Sequence, residues 1–212
     1  MTILPFSSAA VTAGLSGFAT GLGLFAAVGA QSAFILRQGA LRVHIVSVVL
    51  VCAVSDAVLI FASVMGLRAL TAQAPWLLQG VLWTGVVFLA AYAMAAARRA
   101  WGGGESLQAA ARMRGGGRAA AVAGALAFTW LNPHFWLDMV LVGTLAHGFG
   151  SASLAYGAGA AAASIFWLTL LGGGARLLAP LFRSARAWRI LDGMVALIMA
   201  VMAVRLAAQA LG

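Results

Sequence analysis

The sequence predicts an all-α integral membrane protein: six transmembrane helices arranged as two inverted three-helix repeats, with the first and fourth helices broken. Three observations point there. Of 212 residues, 64% are hydrophobic and only 8% charged, too little charge to wet the surface of a soluble domain of this size. Apolar runs of roughly 20 residues, enough to cross about 30 Å of hydrocarbon, recur six times. The basic residues, all of them arginine, fall mainly between alternate runs, as orientation signals do.

The runs cover approximately 13–36, 45–67, 76–97, 119–145, 152–174 and 190–211. Backbone groups in lipid must be satisfied within the segment, so each is expected to be helical. No basic residue precedes Arg37, so the first run lacks the charged start of a cleaved signal peptide and is expected to stay as a span. Breaks come at "RQGALRVH", "RALTAQAP", "RRAWGGGESLQAAARMRGGGR", "AHGFGSA" and "ARLLAPLFRSARAWR". Trp76, Trp83, Trp101 and Trp188 lie near run ends, where indole rings anchor at the lipid interface. Gly14, Gly17, Gly21 and Gly23 in the first run, and "YGAGAAAAS" in the fifth, read as surfaces for close helix packing.

Arginine sets the direction. Arg37, Arg42, Arg98, Arg99, Arg112, Arg114, Arg118, Arg176, Arg183, Arg186 and Arg189 fall in the first, third and fifth loops; Arg68 and Arg205 fall on the other side. The larger group should face the cytoplasm and anionic lipid headgroups, leaving both termini outside. A re-entrant first run would instead place the N-terminus inside, with five full spans. This interleaving argues against a nucleic-acid surface despite the net charge of +9. Residues 98–118 form a Gly- and Arg-rich cytoplasmic loop dividing a first membrane repeat, 1–97, from a second, 119–212. Each half has three spans, so the halves point in opposite directions. "FAAVGAQ" (Phe25 to Gln31) and "FTWLNPH" (Phe128 to His134) echo one another in the first and fourth runs, a pattern suited to transporters whose substrate site lies at broken helices near the midplane.

Asp56 stands near the centre of the second run, where a carboxylate costs roughly 2.5 kcal/mol or more on insertion scales. It is either a hydrogen-bonded structural acid or a cavity-facing group that pairs with a cation or carries a proton. In the fourth run Pro133 removes an amide hydrogen and crowds the Thr129 carbonyl, freeing acceptors near Thr129 and Trp130. Asn132 can cap the restarted helix, and Asp138 shares a face with His134 four residues earlier. A proline kink with satisfied neighbours is the plain alternative; four polar features within seven residues favour a site. Gly29, Gln31 and Ser32 offer a softer break in the first run. Asp56, Asp138 and His134 are the candidate proton carriers. Glu105 reads as solvated, and Asp192, beside Arg189 at a helix start, as structural. The single cysteine, Cys52, excludes an internal disulfide and a CxxC motif, and no cofactor or resident-metal motif is visible. No nucleophile–base arrangement suggests an enzyme. Asp56, His134 and Asp138 could instead ligate a transported divalent metal, and a structural membrane scaffold is the third reading. A homo-oligomer, such as a dimer through a Gly-rich face, is compatible with the sequence but not selected by it.

"GAQSAFILRQG", "VVLVCAVSDAVLI" and "FTWLNPHFWLD" together resemble the LysE-type family of amino-acid exporters, in particular its arginine and lysine branch. The similarity covers nearly the whole chain. It implies export of arginine, lysine or close analogues from the cytoplasm, driven by proton or membrane potential, with a site around Gly29, Gln31, Asp56, Asn132, Pro133 and Asp138. Ala30 stands where that family has proline, and Ser32 where it has asparagine, which bears on the first break and on substrate choice. A neutral amino acid such as homoserine or threonine also presents an ammonium group.

Overall fold

A computed structural model of the chain describes residues 8–26, 29–67, 75–102, 112, 115–178, 180 and 184–211. Arg68, Glu105, Arg114 and Arg183 lie outside the described residues, as do the side chains of Trp76, Pro133 and His134. The described chain is all helical: α1 (Ser8–Phe25), α2 (Ala30–Leu41), α3 (Ile45–Ala62), α4 (Pro75–Trp101), α5 (Arg118–Trp130), α6 (Pro133–His147), α7 (Ser153–Leu178) and α8 (Ala185–Leu211). Among the described residues, four helical stretches are long and apolar enough to cross a membrane: Ser8–Phe25, Ile45–Gly66, Gly150–Leu177 and Ala185–Ala208. Their exposed faces are apolar, as lipid requires; on α3, Val46, Leu50, Val54 and Val58 recur at every fourth position.

The first run divides, as expected, between α1 and α2. Gly29 precedes α2 with extended backbone (φ −109°, ψ −166°). Both pieces follow α7 in the same direction. A Cβ at Gly17 would overlap the Tyr156 carbonyl, one at Gly159 would overlap the Gly14 carbonyl, and Gly39 lies against Gly172 and Ala175. These backbones meet because nothing larger than hydrogen intervenes. Gly23 does not share that role, since a Cβ there would meet nothing within 4 Å. The fourth run divides between α5 and α6 at Leu131–Asn132, where Pro133 starts the new helix at a position that needs no amide donor. This pair follows α3: Thr129 donates to Cys52 and Trp130 to Ser55, and further on the Ser63 hydroxyl donates to the Met139 carbonyl. α4 pairs with α8.

The stretch "RQGALRVH" is mostly helical rather than a loop, because α2 continues through Leu41 and only Arg42–His44 turn, with Arg42 and His44 in the left-handed region (φ 58° and 51°). Arg37 is therefore buried (2% exposed) rather than a headgroup anchor. Trp188, also 2% exposed, is no interface anchor either: the Arg37 guanidinium sits 5.6 Å from its ring centroid. Asp192 lies past the first turn of α8 and does not pair with Arg189, whose Nε donates to the Ala100 carbonyl at 2.8 Å. Asp192 instead holds Arg37 at 2.5 Å and Arg99 at 3.2 Å, fully buried. With Arg42 donating to the Arg176 carbonyl, these contacts gather the ends of α2, α4 and α7 and the start of α8 at one end of the bundle.

Candidate functional site

The buried apolar side chains form two clusters, and the polar site occupies the seam between them. Along α3, Val48 and Cys52 belong to one cluster and Leu59 and Ile60 to the other; Asp56 falls between. Asn132 falls likewise between Phe128 and Phe135, and Ser164 between Ala160 and Leu168. A small cavity of about 40 Å³ opens at this level, lined by Gly29, Gln31, Ser32, Asp56, Asn132, Phe135, Asp138, Ser164 and Trp167 among others. Five of the seven binding residues expected from sequence, Gly29, Gln31, Asp56, Asn132 and Asp138, thus share one cavity.

Gln31 ties the broken helices to the carboxylate. It stands in the first turn of α2, and its amide nitrogen donates to Asp56 Oδ1 at 3.1 Å and to Thr129 Oγ1 at 3.0 Å. The two hydrogens of one amide group thereby bridge α2 to α3 and α5. Thr129 passes the chain on to Cys52 Sγ at 3.8 Å. Ser164 on α7 donates to the other carboxylate oxygen, Asp56 Oδ2, at 2.5 Å. Asp56 is 1% exposed and is met by a donor on each oxygen, which offsets the desolvation of a buried carboxylate. Asp138, more accessible, lines the same cavity from α6.

Two expectations about the fourth run change. Asn132 stands at the N-cap position of α6, but its side chain makes no capping bond; its backbone carbonyl accepts from Phe135 N–H at 3.1 Å. Its Oδ1 is buried with no hydrogen-bond partner among the described residues, and the residue lines the cavity. The Trp130 carbonyl is not a free acceptor, because the Trp136 indole donates to it at 2.9 Å. The Thr129 carbonyl accepts the Asn132 amide at 3.4 Å. The first turns of α2 and α6 both line the cavity, so two helix N-termini, each carrying a partial positive charge, meet beside two carboxylates.

Ser164 and Trp167 also line this cavity, and the sequence did not single them out. Ser164 ends the "YGAGAAAAS" stretch read as packing alone. A signal was available: Asp56 stands eleven residues after Ile45 where α3 begins, and Ser164 eleven after Ser153 where α7 begins. Trp167 carried none. Its indole nitrogen is buried without a partner among the described residues, a donor at the cavity wall. Among the described residues no three His, Cys, Asp or Glu side chains cluster as a metal site.

This geometry can hold a ligand of mixed charge, a cation against Asp56 and Asp138 and an anion against the helix ends. The model of the LysE type translocator family matches residues 22–210. The Arginine exporter protein ArgO of Salmonella typhimurium (strain LT2) is 39% identical over 193 residues, 90% of this chain and 91% of that protein. The protein of the same name from Salmonella enteritidis PT4 shows the same identity and coverage. Mb0498 of Mycobacterium bovis, named only as an amino-acid transporter, is 41% identical over 177 residues, 82% of this chain and 86% of that protein. No solved structure matches. A family match of this extent, on a bundle whose apolar helices suit a multi-pass inner-membrane protein, leads to one conclusion: the chain belongs to the LysE type translocator family.

Proposed function

We propose that this protein exports basic L-amino acids, arginine or lysine, from the cytoplasm by alternating access, driven by proton or membrane potential. The observation that carries the reading is the composition of the Asp56 cavity: two carboxylates, Asp56 and Asp138, two broken-helix N-termini, and no basic side chain among its described lining residues. The cationic side chain would rest against the carboxylates, by charge complementarity in a medium that screens poorly. The α-carboxylate would rest at the positive ends of α2 and α6, as helix N-termini receive anionic groups in other transporters. Asn132 Oδ1 is an acceptor, and Trp167 Nε1 a donor, for the remaining polar ends. The names of the Salmonella relatives support arginine as substrate. Asp56 or Asp138, with His134 as a further candidate, would exchange the coupling proton.

A cavity of about 40 Å³ holds only a few waters, so the walls must separate to admit an amino acid. The packing supports a division into inverted halves, 1–97 and 119–212, joined by the segment 98–118. The broken pair α1–α2 follows α7, the broken pair α5–α6 follows α3, and α4 meets α8, the exchange a two-fold axis between halves would produce. The six-span reading counts each broken pair as one crossing. The arginine-bearing end, with Arg37, Arg42, Arg99, Arg176 and Arg189, would face the cytoplasm, leaving both termini outside; a C-terminal tag resistant to protease added to intact cells would contradict that.

The decisive experiment is efflux of labelled arginine from preloaded cells, comparing wild type with Asp56→Asn and Asp138→Asn at matched membrane abundance. The expected result is efflux in the wild type, competition by lysine, and loss in both variants. Wild-type efflux no faster than in empty cells, with threonine or a divalent metal carried instead, would sink the basic amino-acid reading.

A further inference from the structure

A second, larger cavity lies toward the arginine-bearing end. It measures about 390 Å³ and is lined by Phe34, Arg37, Gln38, Tyr92, Arg99 and Arg112 among others. Its charge is opposite to that of the Asp56 cavity. Among the described residues, three arginines line it and one carboxylate, Asp192, lies against two of them. Its floor is aromatic: Phe34 stacks on Phe128 at 4.9 Å, and Phe88 and Tyr92 meet Phe128 edge-on at 5.2 and 4.8 Å.

The two cavities are in series along one helix. On α2, Gln31 touches Asp56, Phe34 belongs to the aromatic stack, and Arg37 and Gln38 line the larger cavity. Each step is three residues, about 4.5 Å of helix rise. On α5 the neighbours Phe128 and Thr129 repeat the order, one in the stack and the next bonded to Gln31. The stack is thus a partition one helical turn thick between a cationic chamber and an anionic one.

The chamber's donors are not exhausted. Arg37 spends Nη1 on Asp192, while Nε and Nη2, the side-on fork of the guanidinium, have no hydrogen-bond partner among the described residues. Gln38 Oε1, an acceptor open to an ammonium group, is also buried without a partner among the described residues. Unpartnered buried donors are unfavourable, and the planar group that matches such a fork is a carboxylate.

We infer that this chamber is a second amino-acid site on the cytoplasmic side of the partition, where arginines take the α-carboxylate of the substrate before its cationic end passes the stack to Asp56. The inference rests on the export reading above. The aromatic floor suits an aliphatic stem and the face of a guanidinium group. The positive charge repels cations that lack a carboxylate, so the chamber selects amino acids over the corresponding decarboxylated amines. The Asp56 cavity, lined by two carboxylates, attracts cations of both kinds, and tells them apart only through the partial charge of its helix N-termini.

The test uses the full chain in inside-out and right-side-out vesicles, with labelled arginine as substrate and agmatine, its decarboxylated analogue, as competitor. Arg112→Gln and Arg99→Gln are compared with wild type; Arg112 is exposed, so its replacement leaves the packed helices intact. Loss of a charge-assisted contact should raise KM at the cytoplasmic face about tenfold with little change in kcat. KM at the opposite face should not move, and agmatine should inhibit the variants better than the wild type. Unchanged KM at both faces overturns the inference, as does an equal shift at both faces, the mark of a merely structural effect. A shift seen with phosphatidylglycerol in the vesicles but absent in phosphatidylcholine alone assigns the chamber to a lipid headgroup and also overturns it. Absence of arginine flux in the wild type overturns the export reading with it, whereas flux with unmoved KM overturns this inference alone.

Discussion

The buried ion pair at the arginine-bearing end gives the sharpest prediction about stability. Asp192 is fully buried, Arg37 is 2% exposed, and their closest atoms are 2.5 Å apart; Arg99 reaches the same oxygen at 3.2 Å. With an effective dielectric of about 20, these separations correspond to roughly 6–7 and 5 kcal/mol of attraction, largely offset by the several kcal/mol each ion loses on leaving water. The arrangement therefore adds little over an apolar equivalent, but removing one member strands another. Among the described residues, Asp192→Leu leaves Arg37 with the Trp188 ring against its charge, and should cost about 3–5 kcal/mol. Arg37→Leu costs less, about 1.5–3 kcal/mol, because Asp192 keeps Arg99. The double variant removes the stranded pair, and Arg99, 19% exposed, can turn toward solvent; it should cost only about 0–2 kcal/mol. Reversible unfolding in mixed micelles measures all three, and the cycle isolates the coupling. Costs that simply add, with the double variant the least stable of the set, would refute the reasoning.

Other consequences follow from the same contacts. Gly17→Ala drives a methyl group into the Tyr156 carbonyl and should lower stability by about 1–3 kcal/mol, whereas Gly23→Ala meets nothing and should be neutral or slightly stabilising. Thermal melts in nanodiscs that put the two variants level would remove the close-packed α1–α7 interface from the explanation. Gln31→Leu deletes both hydrogen bonds that join α2 to Asp56 and Thr129, and should cut arginine transport about tenfold or more while the fold persists; transport at the wild-type rate, at matched abundance, would show that Gln31 does not organise the site.

Helices, their approximate ends and the two breaks were legible in the chain because they depend on local quantities. Apolar length is set by bilayer thickness, and Pro133 interrupts a helix whatever surrounds it. Asp56 and Asp138 could be singled out for a similar reason, since a carboxylate in an apolar run is costly wherever the helix packs. What the sequence could not convey was partnership. Asp192 reads from the sequence as a carboxylate suited to a helix start, yet it binds Arg37, 155 positions away. That choice depends on how α2 meets α8. Trp188 looked like an interface anchor for the same reason that Arg37 looked like a headgroup anchor: each sits at a run end, and only packing buries them against one another. Ser164 was hidden inside a small-residue stretch whose packing role is real, since Gly159 does meet α1. By itself, then, the sequence determined where the chain is helical, where it breaks and which acids are costly. The tertiary structure decided which groups share a cavity, because hydrogen bonds between residues 25 to 155 positions apart depend on helix packing that no local pattern encodes.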